Sequence, residues 1–191
     1  MSLPVKKPAT YADLLALPPT MVGQIVDGEL YAMPRPAMGH AAVTSILGMD
    51  LGGPFQRGRG GPGGWWIVDE PELHFGPNVL VPDLAGWRVE RMPQRPPAST
   101  PFVTLAPDWV CEVLSPKTSS LDRVGKKRIY ARERVSWCWL IDPLERTLEA
   151  YRLEGELWLE VGTWRDDDRV RVPPFEAIEL ELSALWSPGE P

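Results

Sequence analysis

The sequence predicts an α/β protein of the α+β kind, built around a mixed sheet, and three observations carry that prediction. Short apolar runs at 65–68, 73–75, 79–87, 109–114 and 137–141 are bounded by turn residues and read as strands. Two longer segments, 38–51 and 121–134, fall between strand runs and read as helices. From residue 147 onward, alternating runs punctuated by Glu154-Gly155 read as a β-meander that extends or flanks the sheet.

Taken in order, Thr10 and Asp13 have capping-box spacing, with Leu14, Leu15 and Leu17 before Pro18-Pro19, so a short N-terminal helix is expected. Runs 22–26 and 30–33 flank Asp27-Gly28, a dipeptide suited to the positive φ angles of a two-residue hairpin turn. In 38–51, Ala42, Ile46 and Leu47 keep helical spacing, which predicts a helix packed on a sheet. Residues 52–64 hold a run of glycines with two prolines, so no regular structure is expected there, only a mobile loop. Arg57 and Arg59 inside it are candidates for nucleic-acid phosphate contact, beside the plainer reading of a flexible connector. The stretch 115–120 offers several N-cap residues ahead of the helix at 121–134.

A chain of 191 residues, 43% hydrophobic and 24% charged, is sized for one domain, 1–191, with a sizeable core. No apolar run approaches the ~18 residues of a membrane span, and no secretory signal follows Lys6-Lys7, so a cytoplasmic location is expected. Cys111 and Cys138 form no CxxC pair and read as buried reduced thiols. His40 and His74 are the only histidines, which disfavours a histidine metal site. The formal charge of −6 counts against unspecialised nucleic-acid binding and requires a local basic patch; the densest runs from Arg123 through Lys126, Lys127 and Arg128 to Arg134.

Two carboxylates break the apolar pattern. Asp83 sits in Val81-Pro82-Asp83-Leu84-Ala85, on the strand side of Val81, Ala85 and Trp87, and Glu112 shares a side with Val110 and Leu114. An unpaired buried charge costs several kcal/mol by order of magnitude, so each needs a partner. Either each acid has its own arginine, or the two share a hard cation such as Mg²⁺ or Mn²⁺, which takes one or two carboxylates. Asp122, Lys126 and Tyr130 recur at intervals of four on one helical stripe. Lys126 is thus a candidate to orient water or stabilise developing charge, beside the reading of an exposed lysine paired with Asp122. The tryptophans at 65, 66, 87, 109, 137 and 139 fall in strand runs and read as core and interface rather than base-stacking platforms.

The ordered set Val-Pro-Asp83, Pro107-Asp108-Trp109-Val110-Cys111-Glu112-Val113-Leu114-Ser115-Pro116, Asp122 to Lys126 and Tyr130-Ala131, then Trp137 to Pro143, resembles the Uma-type restriction-endonuclease family of the PD-(D/E)XK nuclease superfamily. The likeness runs from about Tyr11 to Trp186 and includes Asp27-Gly28-Glu29-Leu30 and His40. It implies a restriction-endonuclease-like core, with flanking helices and the C-terminal meander, and Mg²⁺-dependent cleavage of DNA phosphodiester bonds. The implied catalytic residues are Asp83, Glu112 and Lys126, and the metal-binding positions are Asp83, Glu112 and Val113. The superfamily places its lysine two residues after the second acid; that position is Leu114 here, so Lys126 substitutes from the helix. Glu72 is an additional ligand candidate or a solvent carboxylate in a turn, and His40 a substrate contact or a satisfied polar group. Gln24 stands where relatives carry an early glutamate.

Lys127 joins Arg57 and Arg59 as a nucleic-acid-binding candidate, against the plainer reading of an exposed lysine. Exposed edges of the tryptophan-rich sheet suggest a homodimer, which would give a double-strand cutter two sites. The competing readings are a catalytically silent nuclease-fold binding or assembly module and a metal-dependent hydrolase of small phosphate esters.

Overall fold

The protein, seen as a computed structural model, is described over residues 7–186. Helix α1 (Tyr11–Leu15) opens on the expected capping box: the Asp13 N–H donates to Thr10 Oγ1, and the Thr10 N–H returns a 2.7 Å bond to the Asp13 carboxylate. Strands β1 (Met21–Val26) and β2 (Glu29–Pro34) pair antiparallel about Asp27 and Gly28, with φ of 48° and 82°. The turn thus has the two left-handed residues that the dipeptide predicts. Helix α2 (Met38–Leu51) occupies the expected span and buries Val43, Leu47 and Leu51.

The glycine-rich stretch departs from expectation. Gly52–Gln56 continues α2 as a π-helical turn, because Phe55 anchors it in the core and the Gln56 side chain accepts the Ile67 N–H at 2.7 Å. Burial of one large ring offsets the ordering entropy of the glycines before it.

Then come β3 (Trp65–Asp69) and β4 (Leu73–Phe75), followed by a second departure. The apolar run 79–87 is not one strand. It divides into β5 (Asn78–Leu80) and β6 (Leu84–Arg88), which belong to different sheets. Pro82 has no N–H to give a ladder, and the Val81 N–H is taken by the buried Gln24 side chain at 2.9 Å. Asp83 therefore sits in a bend between strands, not on a strand face.

Strand β7 (Trp109–Val113) leads to a π-helical segment, Leu121–Lys126, and then α3 (Lys127–Arg132), where a plain α-helix was expected. This helical crossover lets β8 (Trp137–Asp142) lie parallel to β7. The meander follows as β9 (Thr147–Glu154) and β10 (Leu157–Arg165), both antiparallel. A short pair, β11 (Arg169–Val170) with β12 (Leu180–Glu181), and a 3₁₀ turn at Leu182–Leu185 complete the described chain.

The main sheet has the order β10-β9-β8-β7-β6-β3, and a four-stranded sheet has the order β2-β1-β5-β4. One face of the main sheet packs Trp109, Cys111 and Val113 against α2, Phe55 and the C-terminal segment, with Phe175 touching Trp65, Trp109 and Trp139. The other face packs Val110, Leu114 and Cys138 against α3, Leu73 and Leu80. Gly86 lets the Trp65 and Trp109 rings close over the sheet, since a Cβ there would sit 3.2 Å from both and would push them back by a few tenths of an ångström. Cys111 and Cys138 are free, buried and on opposite faces of the sheet. No helix among the described residues is long and apolar enough to cross a membrane.

Candidate functional site

Alternation along β7 turns Glu112 toward the face covered by the helical crossover, where it is 2% exposed. Lys126, also 2% exposed, donates from Nζ to Glu112 Oε2 at 2.6 Å, to the Val81 carbonyl at 3.2 Å, and pairs with Asp122 Oδ1 at 3.1 Å. Tyr130 donates its hydroxyl to Glu112 Oε1 at 2.6 Å. Both readings of Lys126 thus meet in one place: it does pair with Asp122, but buried and beside Glu112. The π-helical winding of Leu121–Lys126 turns Asp122 and Lys126 inward together.

Asp83 approaches Glu112 through the backbone. The N–H of Val113, the residue after Glu112, donates to Asp83 Oδ2 at 2.6 Å, and Asp83 Oδ1 lies 2.6 Å from His40 Nε2. His40 comes from the first turn of α2, which carries it to the bend between β5 and β6. Asp83, Glu112, Val113, Lys126 and His40 all line one cavity of about 370 Å³, together with Glu70 and Asp122. Neither Asp83 nor Glu112 is paired with a guanidinium among the described residues.

The titratable groups in this cavity shift one another. Burial pushes the Glu112 carboxyl up to about 8; the Lys126 ammonium pulls it down, while Asp122 and Asp83 add to the rise. Burial alone would favour a neutral Lys126, but Asp122, Glu112 and Asp83 outweigh it and hold the ammonium above its usual range. For His40, burial is likewise outweighed by the bond to and the charge of Asp83, with help from Asp122 and Glu70, so the imidazolium is favoured. The site sets the carboxyl groups of Asp83, Glu112, Asp122 and Glu70 around the Lys126 ammonium and the His40 ring.

The remaining sequence candidates lie elsewhere. Glu72 is outside this cavity and accepts from Tyr11 at 2.8 Å, with His74 Nε2 at 2.7 Å; Glu70, two residues earlier, lines the wall in its place. Arg57 and Arg59 line a second cavity of about 590 Å³. Lys127 is half-buried, not exposed, with Nζ 3.0 Å from the centre of the Tyr151 ring. The basic run singled out in the sequence is spent on carboxylates: Arg123 on Glu149, Arg128 and Arg132 on Asp27, Arg134 on Glu156. Glu70 is a wall residue that nothing in its local sequence marks; its N–H donates to the Asp83 carbonyl at 3.0 Å. Gln24, which the resemblance sets at the position of an early glutamate, also lines the cavity and accepts the Val81 N–H at 2.9 Å.

Among the described residues, no group of three or more His, Cys, Asp and Glu side chains is arranged to hold a metal ion. A cation here would rest on two carboxylates, which is the usual number of protein ligands for a hard ion that keeps water and phosphate oxygens.

Residues 10–184 match the family Uma2, described as "Putative restriction endonuclease". A crystal structure of "a putative nuclease belonging to DUF820" from Anabaena variabilis is similar over 94% of this chain and 98% of that one, with 26% identity and a TM-score of 0.75. No curated protein matches the sequence. On the match across most of its length, the chain belongs to the Uma2 family of restriction-endonuclease-like proteins.

Proposed function

We propose that the protein is a metal-dependent endonuclease that hydrolyses DNA phosphodiester bonds at the cavity of Asp83, Glu112 and Lys126. The family description and the nuclease named in the similar crystal structure support the nuclease reading. The observation that carries the site is the 2.6 Å bond from the Val113 N–H to Asp83, which ties the bend acid to the residue beside Glu112 in a cavity that also receives the Lys126 ammonium.

The donor set fits a hard divalent cation, Mg²⁺ or Mn²⁺. It offers carboxylate oxygens with lone pairs left over, and a cation bound there would favour the ionised Glu112 carboxylate that burial alone disfavours. Asp83 and Glu112 would hold the ion. The Val113 side chain belongs to the core on the opposite face, so only its main chain is available to the site. When bound, such an ion acidifies a water and neutralises charge on phosphoryl oxygens. Lys126 rests as an ammonium with no lone pair to accept a proton, so its role is electrostatic, stabilising charge that develops on the phosphate. Tyr130 and Asp122 orient Glu112 and Lys126, and His40 orients Asp83. Exposed Leu157 and Leu159 on the edge strand β10 support a homodimer in this reading, which light scattering checks.

The test is cleavage of supercoiled, linear and single-stranded DNA with Mg²⁺, Mn²⁺ or EDTA. Expected is metal-dependent cutting that Asp83→Ala abolishes and Lys126→Met lowers by about 10²-fold or more. Wild-type protein that leaves every DNA form intact, together with no heat of Mg²⁺ or Mn²⁺ binding in calorimetry, would overturn the enzyme reading and favour a catalytically silent binding or assembly module.

A further inference from the structure

We propose that Arg35, Lys117, Arg57 and Arg59 form a track for the backbone of a polynucleotide passing over the Asp83–Glu112 cavity, an inference that rests on the nuclease reading and adds the residues that hold the substrate on either side of the scissile bond. The four cations are exposed, and no ion pair among the described residues involves any of them. This sets them apart from the arginines of the helical crossover, each of which has an ion-pair partner among Asp27, Glu133, Glu149 and Glu156. In an acidic protein, unpaired cations are the groups that can displace counterions from phosphate.

Their placement is what gives them a joint role. Arg35, just before α2, and Lys117, just after β7, line the first cavity. Arg57 and Arg59 line the second, where Asp69 is the one carboxylate in the wall. Three chain segments contribute to both walls: His40 and Thr44 one turn apart on α2, Glu70 and Asp69 at the end of β3, and Asp83 and Leu84 at the start of β6. The cavities therefore adjoin across the bend that carries Asp83. The carboxylates Glu112 and Asp122 are buried and Asp83 is part-buried against His40, so of the cavity's acids Glu70 alone stands exposed beside Arg35 and Lys117. A small phosphate ester would engage only the first cavity, whereas a strand with phosphates on both sides of the scissile bond engages both.

The experiment measures binding of a labelled DNA duplex to the protein in EDTA, as a function of salt, so that no cleavage is needed. Each phosphate contact contributes about 0.9 to the slope of log K against log[salt]. Arg57→Ala/Arg59→Ala and Arg35→Ala/Lys117→Ala should each lower the slope by about 1 to 2, and Arg57→Lys/Arg59→Lys should restore it. Arg128→Ala should leave it unchanged. Unchanged slopes in both double variants, an equal drop in Arg128→Ala, or no salt-dependent binding would overturn the track. If the slopes fall as expected while wild-type protein cuts nothing with Mg²⁺ or Mn²⁺, the nuclease reading fails and the track stands.

Discussion

Lys126 and Glu112, separated by 14 residues along the chain, meet at 2.6 Å with neither side chain more than 2% exposed. The contact joins a π-helical turn to the central parallel strand pair, and it makes the proposed catalytic groups part of the interior rather than its surface. Removing one partner of such a pair strands the other, and the first prediction tests that.

Lys126→Met should destabilise the protein by about 3 kcal/mol at alkaline pH, as expected for breaking one side of a buried ion pair. The loss should be smaller in acid. Burial raises Glu112 to about 8 in the folded protein although the Lys126 ammonium pulls it down, so without Lys126 the carboxyl rises further; both proteins lose stability as pH climbs from the unfolded value to about 8, and only the variant goes on losing it above that. Urea unfolding at pH 5 and pH 9 checks the difference, and adding Glu112→Gln to Lys126→Met should remove the pH dependence.

Tyr130→Phe deletes the hydroxyl that donates to Glu112 at 2.6 Å in a fully buried setting. A hydrogen bond to a charged group is worth about 1.5–3 kcal/mol, so above about pH 8, where Glu112 is ionised, the midpoint of urea unfolding should fall by that equivalent. If the proposed site is correct, kcat for DNA cleavage should drop while KM holds, because Tyr130 touches Glu112 and not the substrate. Equal changes in both constants would place Tyr130 elsewhere in the reaction.

Arg123 and Glu149 make two bonds, at 2.7 and 2.8 Å, and Tyr151 donates to the same carboxylate at 2.5 Å. Burial alone would raise the Glu149 carboxyl, but these donors outweigh it and hold it below its usual range. Its contribution to stability is therefore present above the ordinary glutamate value and is lost as pH falls through the lowered one. Glu149→Gln should cost stability at pH 7 and make the midpoint flatter between pH 5 and pH 3, as read by thermal melts.

Phe55→Ala should cost about 3–5 kcal/mol, the range for truncating a large core ring. Phe55 is 1% exposed, and its ring centroid lies 4.7 Å from that of Phe175. A structureless 52–64 would give no change in the guanidinium midpoint, so the measurement discriminates sharply.

Where structure depends on near neighbours, it was legible in the residues themselves. The Thr10–Asp13 capping box, the Asp27-Gly28 turn and the span of α2 each rest on interactions within a few positions. The paired acids and the stripe of Asp122, Lys126 and Tyr130 were legible too, because a charge in an apolar pattern announces itself.

What tertiary structure alone decided lies in contacts between distant segments. The 79–87 run reads as one strand until Gln24, 57 residues from Val81, takes its N–H and the chain changes sheets, leaving Asp83 in a bend. The glycine-rich stretch gains a helical start because Phe55 packs on Phe175, from the distant C-terminal segment, on one face of the sheet. The arginines of the basic run at 123–134 pair with Asp27, Glu149 and Glu156, while the exposed cations without an ion pair lie around the two cavities: Arg57 and Arg59 were legible as candidates in the glycine-rich stretch, whereas nothing in their own segments marked Arg35 and Lys117. Local propensity and pattern act over a few residues, whereas sheet membership, burial and charge neutralisation are set by whichever segments the fold brings together.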